Sequence, residues 1–123
     1  MIAVDTSAMA RALDGINDET TRAVRKAVES EEAYFPPAVL TELLSNPELK
    51  DEARFYCERI PLLDIHTGFW ERAGILRAEL MKHVFKASLA DVLIAQSCID
   101  HDIPLITYDR DFRHFVRAGL KLA

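Results

Sequence analysis

The sequence is short of the residues from which several kinds of protein are built. Only two cysteines occur in 123 residues, Cys57 and Cys98. They lie far apart, each in an apolar, helix-like stretch, and no CxxC or Cys/His spacing is present, which excludes a cysteine-built zinc site. The expectation is two buried reduced thiols in a cytoplasmic protein. The four histidines, His66, His83, His101 and His114, are scattered and form no HxxxH or HExxH pair, so a histidine-built zinc site is excluded as well. No apolar run approaches the roughly 20 residues of a membrane span. The N-terminus, MIAVDTSAM, has an acid at position five and no basic leader, so no signal peptide is expected. Bases are also in deficit, 15 Lys and Arg against 20 Asp and Glu, for a net charge of −5. That argues against a general basic coat that grips nucleic acid. It leaves room for an enzyme in which a metal ion meets the phosphate.

Half the residues are apolar, and no linker, repeat or low-complexity stretch interrupts them. A single domain over residues 1–123 follows, large enough for its own core. Met1–Val4 reads as a buried strand, followed by the capping residues Asp5, Thr6 and Ser7. Leu13, Ile16, Ala23, Val24, Ala27 and Val28 recur at helical spacing, with Asn17 or Asp18 as a second cap. Ala33–Phe35 is a short strand candidate stopped by Pro36-Pro37. Val39, Leu40, Leu43 and Leu44 form a helical face. Asn46 is expected to cap the next helix, with Pro47 at its first position. Leu62–Ile65 reads as a third strand, Thr67 to His83 as a long helix, and Ser88 to Asp102 as another. Pro104–Thr107 reads as a fourth strand, Asp109 opens a short helix, and Gly119–Leu122 is a candidate edge strand. Strands alternating with helices imply an α/β layered domain with a mainly parallel sheet. In such sheets ligands bind beyond the carboxyl ends of the strands.

Acids stand at those ends. Asp5 follows the first strand, and Asp109 and Asp111 follow Pro104–Thr107 in ITYDRDF. Asp91 lies in the first turn of the preceding helix, and Glu42 lies about a turn after the Ala33–Phe35 strand. Two unneutralised carboxylates about 4 Å apart repel by roughly 4 kcal/mol at an effective dielectric of 20. A hard cation such as Mg²⁺ or Mn²⁺ relieves that repulsion. Each acid also has a local reading. Asp5 and Asp109 suit helix caps, Ser88-x-x-Asp91 resembles a capping box, Asp111 complements a helix dipole, and Glu42 suits a solvated helix face.

Four segments carry a resemblance. They are VDTSA at 4–8, VLTELLSN at 39–46, ADVLIAQSC at 90–98 and LITYDRDF at 105–112. In order, spacing and chain length the sequence resembles PIN-domain proteins, and among them the VapC-type ribonuclease toxins of toxin–antitoxin pairs. The resemblance implies a three-layer α/β/α sandwich with a mainly parallel central sheet. It implies catalytic, metal-holding roles for Asp5, Glu42, Asp91 and Asp109, with Asp111 as a fifth metal-site acid. Thr6, Ser7 and Thr107 match polar supporting positions. Mg²⁺ or Mn²⁺ as cofactor, hydrolysis of structured or single-stranded loop RNA such as tRNA, a cognate antitoxin and a homodimer are implied in the same way. With those five acids set aside, acids and bases balance at 15 each. One departure is that HVFKASLAD at 83–91 lacks the glycine many relatives carry near the position of Val84.

Positive side chains that can guide an RNA backbone are Arg11, Lys82, Lys86, Arg110 and Arg113. Tyr34, Phe35 and Trp70 can stack on a base, although core or interface packing is the ordinary fate of such residues. The apolar faces at Leu40–Leu44 and Leu76–Leu80 suit either the core or a partner. Three other readings compete. A receiver-like phosphoacceptor would use Asp64 but wants a Lys after a late strand, which is lacking. A non-catalytic PIN-like RNA-binding module would have lost acids that are kept here. A PIN nuclease acting on DNA remains as the third.

Overall fold

The computed structural model describes residues 1–83 and 87–123. Its centre is a parallel sheet in the order β2–β1–β3–β4. The strands are β1 (Ile2–Val4), β2 (Ala33–Tyr34), β3 (Pro104–Ile106) and β4 (Lys121–Leu122). Register pairs Ile2 with Ala33, Ala3 with Leu105, Val4 with Ile106, and Leu105 with Leu122. Neighbouring residues of β1 and β3 point to opposite faces, yet Ala3, Val4, Leu105 and Ile106 are all buried. Both faces of the sheet are therefore covered, which is why these strands read as unbroken apolar runs. The α/β class and the parallel sheet expected from the sequence are what the chain forms.

The covering helices are α1 (Thr6–Leu13), α2 (Glu19–Glu29), α3 (Pro37–Leu44), α4 (Asp51–Glu58), α5 (Phe69–Met81) and α6 (Leu89–His101). A 3-10 segment, Arg110–Ala118, follows β3, and Gly119 turns out of it at φ +112°, a conformation favouring glycine. Polar side chains start several helices. Asp5 caps α1, Asp18 and Thr21 form a reciprocal box on α2, and Ser88 caps α6. Pro37 begins α3, where its missing N–H costs nothing. Met9, Val24, Phe35, Val39, Val92, Ile94 and Phe112 fill the core between helices and sheet. Cys57 and Cys98 are buried and unpaired, as expected. Among the described residues no helix is long and apolar enough to cross a membrane.

Three local expectations need correction. Leu62–Ile65 is not a strand but a single bridge, Phe35 to Leu62. Only Leu63 reaches the core, while Leu62 and Ile65 are each 42% exposed, so little apolar burial holds the segment in the sheet. Asn46 does not cap a helix. Its side chain accepts the Glu48 N–H at 3.0 Å in a local turn, and α4 begins only at Asp51. The long helix starts at Phe69, two residues later than expected, because the Thr67 carbonyl is turned toward the Arg72 guanidinium at 2.8 Å. Of the aromatics expected to serve core or interface packing, Phe35 joins the core, while Trp70 is 61% exposed in the single chain.

Candidate metal and active site

β1 and β3 end side by side, and the Asp5 N–H donates to the Ile106 carbonyl at 3.1 Å. Asp5 is only 2% exposed. The Ser7 hydroxyl donates to its two oxygens at 2.8 and 3.0 Å, the Ala8 N–H donates at 2.8 Å, and the Thr107 hydroxyl donates as well. Asp5 thus caps α1 while standing at the strand edge, so its capping role does not remove it from the site. Burial pushes its carboxyl up. The donors from Thr107, Ala8 and Ser7 pull it down, and the charge of Asp109 pushes it up again.

Ser7 and Thr107 do a second job. The Ser7 oxygen accepts the Tyr108 N–H at 3.1 Å, and the Thr107 oxygen accepts the Asp109 N–H at 2.9 Å. The two hydroxyls therefore tie the segment after β3 to the acid after β1. Asp109 then caps the 3-10 segment by accepting the Asp111 N–H at 2.9 Å. On the other side, the Thr6 hydroxyl donates to Glu42 Oε1 at 2.5 Å, drawing α3 toward the start of α1.

Asp91 completes the group. Its backbone N–H donates to the Ser88 hydroxyl oxygen at 3.1 Å, which fixes it in the first turn of α6. Burial pushes the Asp91 carboxyl up to about 6, reinforced by the charges of Asp109, Glu42 and Asp5 and opposed by Ser88. Four acids from β1, α3, α6 and β3 therefore share one field. Asp111 lies at the margin of the group. It is exposed and lines a small pocket of about 150 Å³ with Ser88, Asp91 and His114.

Nothing basic neutralises this group among the described residues. The ion pairs found there are Arg54–Glu58, Arg72–Asp100, Lys82–Glu79 and Lys121–Asp102. Lys82, expected near the phosphate path, is paired with Glu79 at 3.1 Å. Arg11 lies over the Tyr108 ring at 4.0 Å. The Arg113 side chain donates to the Arg110 carbonyl at 3.2 Å, and Arg110 itself is exposed. Lys86 and the glycine-free stretch at Val84 lie outside the described residues. Asp18 was expected only as a helix cap, and the sequence reading missed Tyr108, whose hydroxyl meets Asp18 and whose ring lies under Arg11. The one available signal was the place of Tyr108 between Thr107 and Asp109.

The donor chemistry suits a hard divalent ion, since every ligand candidate is a carboxylate or hydroxyl oxygen. Among the described residues no three His, Cys, Asp or Glu side chains close around a common point. Asp5, Glu42, Asp91 and Asp109 are the residues that would hold such an ion.

Along α3 and α6 lies a groove of about 490 Å³ lined by Pro37, Ala38, Ile65, Trp70, Leu89 and Leu93, with Glu42 also in its lining. Asp64, the acid a receiver domain would need, is exposed in the segment that fails to form a strand, and only its carbonyl is engaged, by the His101 ring.

Comparison with known proteins gives the same picture of the fold. Among curated proteins there is no significant sequence match. A solved structure of VapBC2 from Rickettsia felis, bound to a DNA fragment from their promoter, is similar with a TM-score of 0.75. The identity is 21%, with 100% of this chain and 98% of that chain covered. The PIN domain profile matches residues 2–118, a span that takes in both acid-bearing strand ends and every helix between them, and the chain belongs to the PIN domain family.

Proposed function

We propose that this chain is a Mg²⁺- or Mn²⁺-dependent endoribonuclease, the toxin of a VapBC-type toxin–antitoxin pair. Membership of the PIN family supports the nuclease class. The observation that supports a metal there is the gathering of Asp5, Glu42, Asp91 and Asp109 at the ends of β1 and β3, where Asp91 feels the other three charges and no basic side chain among the described residues is paired with them. A bound divalent ion supplies Lewis acidity and an activated water for phosphodiester hydrolysis. Asp5, Glu42, Asp91 and Asp109 hold it there. Ser7 and Thr107 fix the Asp5 carboxylate, and Thr6 holds Glu42 facing the same space. Without the ion these acids repel a phosphate backbone, so RNA binding itself depends on metal.

RNA, whether structured or a single-stranded loop such as that of a tRNA, is the substrate class in this reading. A cognate antitoxin is the partner, and the groove from Trp70 and Leu89 to Glu42 offers it an apolar seat beside the acids. A homodimer and a cytoplasmic setting belong to the same reading. The receiver alternative lacks the Lys it would need after a late strand, and its Asp64 is exposed in a segment that forms a single bridge rather than a strand. The test is sequencing of RNA ends after brief expression, with Asp91→Asn alongside. New ends that need the native aspartate support the reading, while identical RNA in both cultures contradicts it. Cleavage of DNA alone by the purified chain would favour the DNA-nuclease reading.

A further inference from the structure

Tyr108 stands between two residues of the acid site, yet its side chain leaves in another direction. It reaches the turn between α1 and α2. There its hydroxyl donates to both carboxylate oxygens of Asp18. The Arg11 guanidinium lies over its ring at 4.0 Å, and its backbone N–H donates to Ser7 at 3.1 Å. One residue is thus fastened at its tip, its face and its backbone. The anchor at the far end is itself fixed, because Asp18 accepts the Thr21 N–H at 2.9 Å and donates its own N–H to the Thr21 hydroxyl at 2.9 Å.

We propose that Tyr108 is a positioning residue for the acid site, holding the backbone that presents Asp109 through its tie to Asp18 and its stack under Arg11. This rests on reading the acids as a metal site. Asp109 needs such a restraint. It is a partly exposed acid pushed by the charges of Asp91 and Asp5, and it opens a 3-10 segment rather than a stiffer α-helix. Free of restraint, the backbone at Asp109 would relax toward solvent and carry the carboxylate away from the other acids. A hydrogen bond to an ionised carboxylate is stronger than a neutral one, and a guanidinium over the ring adds a second hold. Both pull on the residue next to Asp109 from outside the group of like charges.

The test uses the full chain and two variants. Tyr108→Phe removes only the hydroxyl. Asp18→Ser keeps a good cap for α2 but is too short to meet Tyr108. Amide exchange at Asp109, measured by NMR in metal-free protein, reads the restraint directly, and titration with Mn²⁺ reads its effect on the site. We expect exchange about tenfold faster and Mn²⁺ affinity about fivefold weaker in either variant, the scale set by one hydrogen bond. The double variant should be no worse than either single one. Asp18→Asn, which retains an acceptor but loses the charge, should fall between the native chain and Asp18→Ser. A purely structural role would lower the melting temperature and leave exchange at Asp109 and Mn²⁺ affinity unchanged well below it, and that result overturns the proposal. Native protein that takes up no Mn²⁺ would instead sink the metal-site reading, and the exchange comparison would still decide the role of Tyr108.

Discussion

The hydroxyl of Thr6 meets Glu42 Oε1 at 2.5 Å across 36 positions of sequence. It joins the first turn of α1 to the middle of α3, and it sets the direction of an acid that no other described side chain holds. Thr6→Val keeps the shape and removes the donor. Cleavage should fall about three- to tenfold, in line with the loss of one charge-assisted hydrogen bond. Stability should change by no more than about 0.5 kcal/mol, because both groups are solvent-accessible. RNA cleavage rates and thermal unfolding of the same preparation check both halves.

Asp91→Asn should separate activity from stability. It removes a charge that Asp109, Glu42 and Asp5 all oppose. Metal-free protein should gain on the order of 1 kcal/mol, a figure already reduced for the solvent that reaches this half-buried group. Cleavage should fall at least about a hundredfold, on the scale of losing a preorganised electrostatic group. A variant that is both less stable and fully active would contradict the arrangement.

The pH dependence of metal-free stability has a definite sign. The Asp91 carboxyl binds its proton more tightly in the folded chain, at about 6, than at its ordinary 3.8. Its contribution to stability is therefore complete below its unfolded pKa and is lost as pH rises through about 6. Asp18 and Asp100 are shifted the other way, Asp18 chiefly by the Tyr108 hydroxyl and Asp100 by Arg72 and Gln96 against burial. Their contributions fade only below the ordinary carboxylate range. Denaturant unfolding in chelator should show stability falling between about pH 4 and 7, and Mg²⁺ should flatten the curve by favouring the ionised acids. A flat curve in chelator would count against the shared field.

Both thiols should resist a thiol reagent in the native state. Burial pushes Cys98 up to about 12, with the charge of Asp5 adding to it, and burial likewise raises Cys57. Labelling should track unfolding, with two thiols released per chain in denaturant. Rapid labelling of the folded protein would show that the α6 core opens more readily than its packing implies.

Much of this was readable from residues. Unbroken apolar runs at Met1–Val4 and Pro104–Thr107, separated by helical periodicity, dictate central parallel strands, and the rule for their carboxyl ends singles out Asp5 and Asp109. Helix caps were readable because Asp18, Ser88 and Asp109 act on N–H groups two or three residues away. Leu62–Ile65 misled because only Leu63 of its three apolar residues is buried, so too little burial holds the segment in the sheet. The contact of Arg11 with the Tyr108 ring was not readable, because folding sets it. The bond between Tyr108 and Asp18 stayed hidden because they meet across 90 positions.

The hydroxyl bond from Thr107 to Asp5 spans 102 positions and crosses the junction of β1 and β3. It has a consequence in time. During synthesis the first acid emerges almost at once, but the strand that flanks it and the hydroxyl that orients it come more than a hundred residues later. Until β3 slides in beside β1, Asp5 has only the local donors Ser7 and Ala8 and only one neighbouring strand. The long loop that must close before this contact forms makes it a late event in folding. A growing chain therefore carries an Asp5 held only by its local donors, and the junction that completes its surroundings waits for β3.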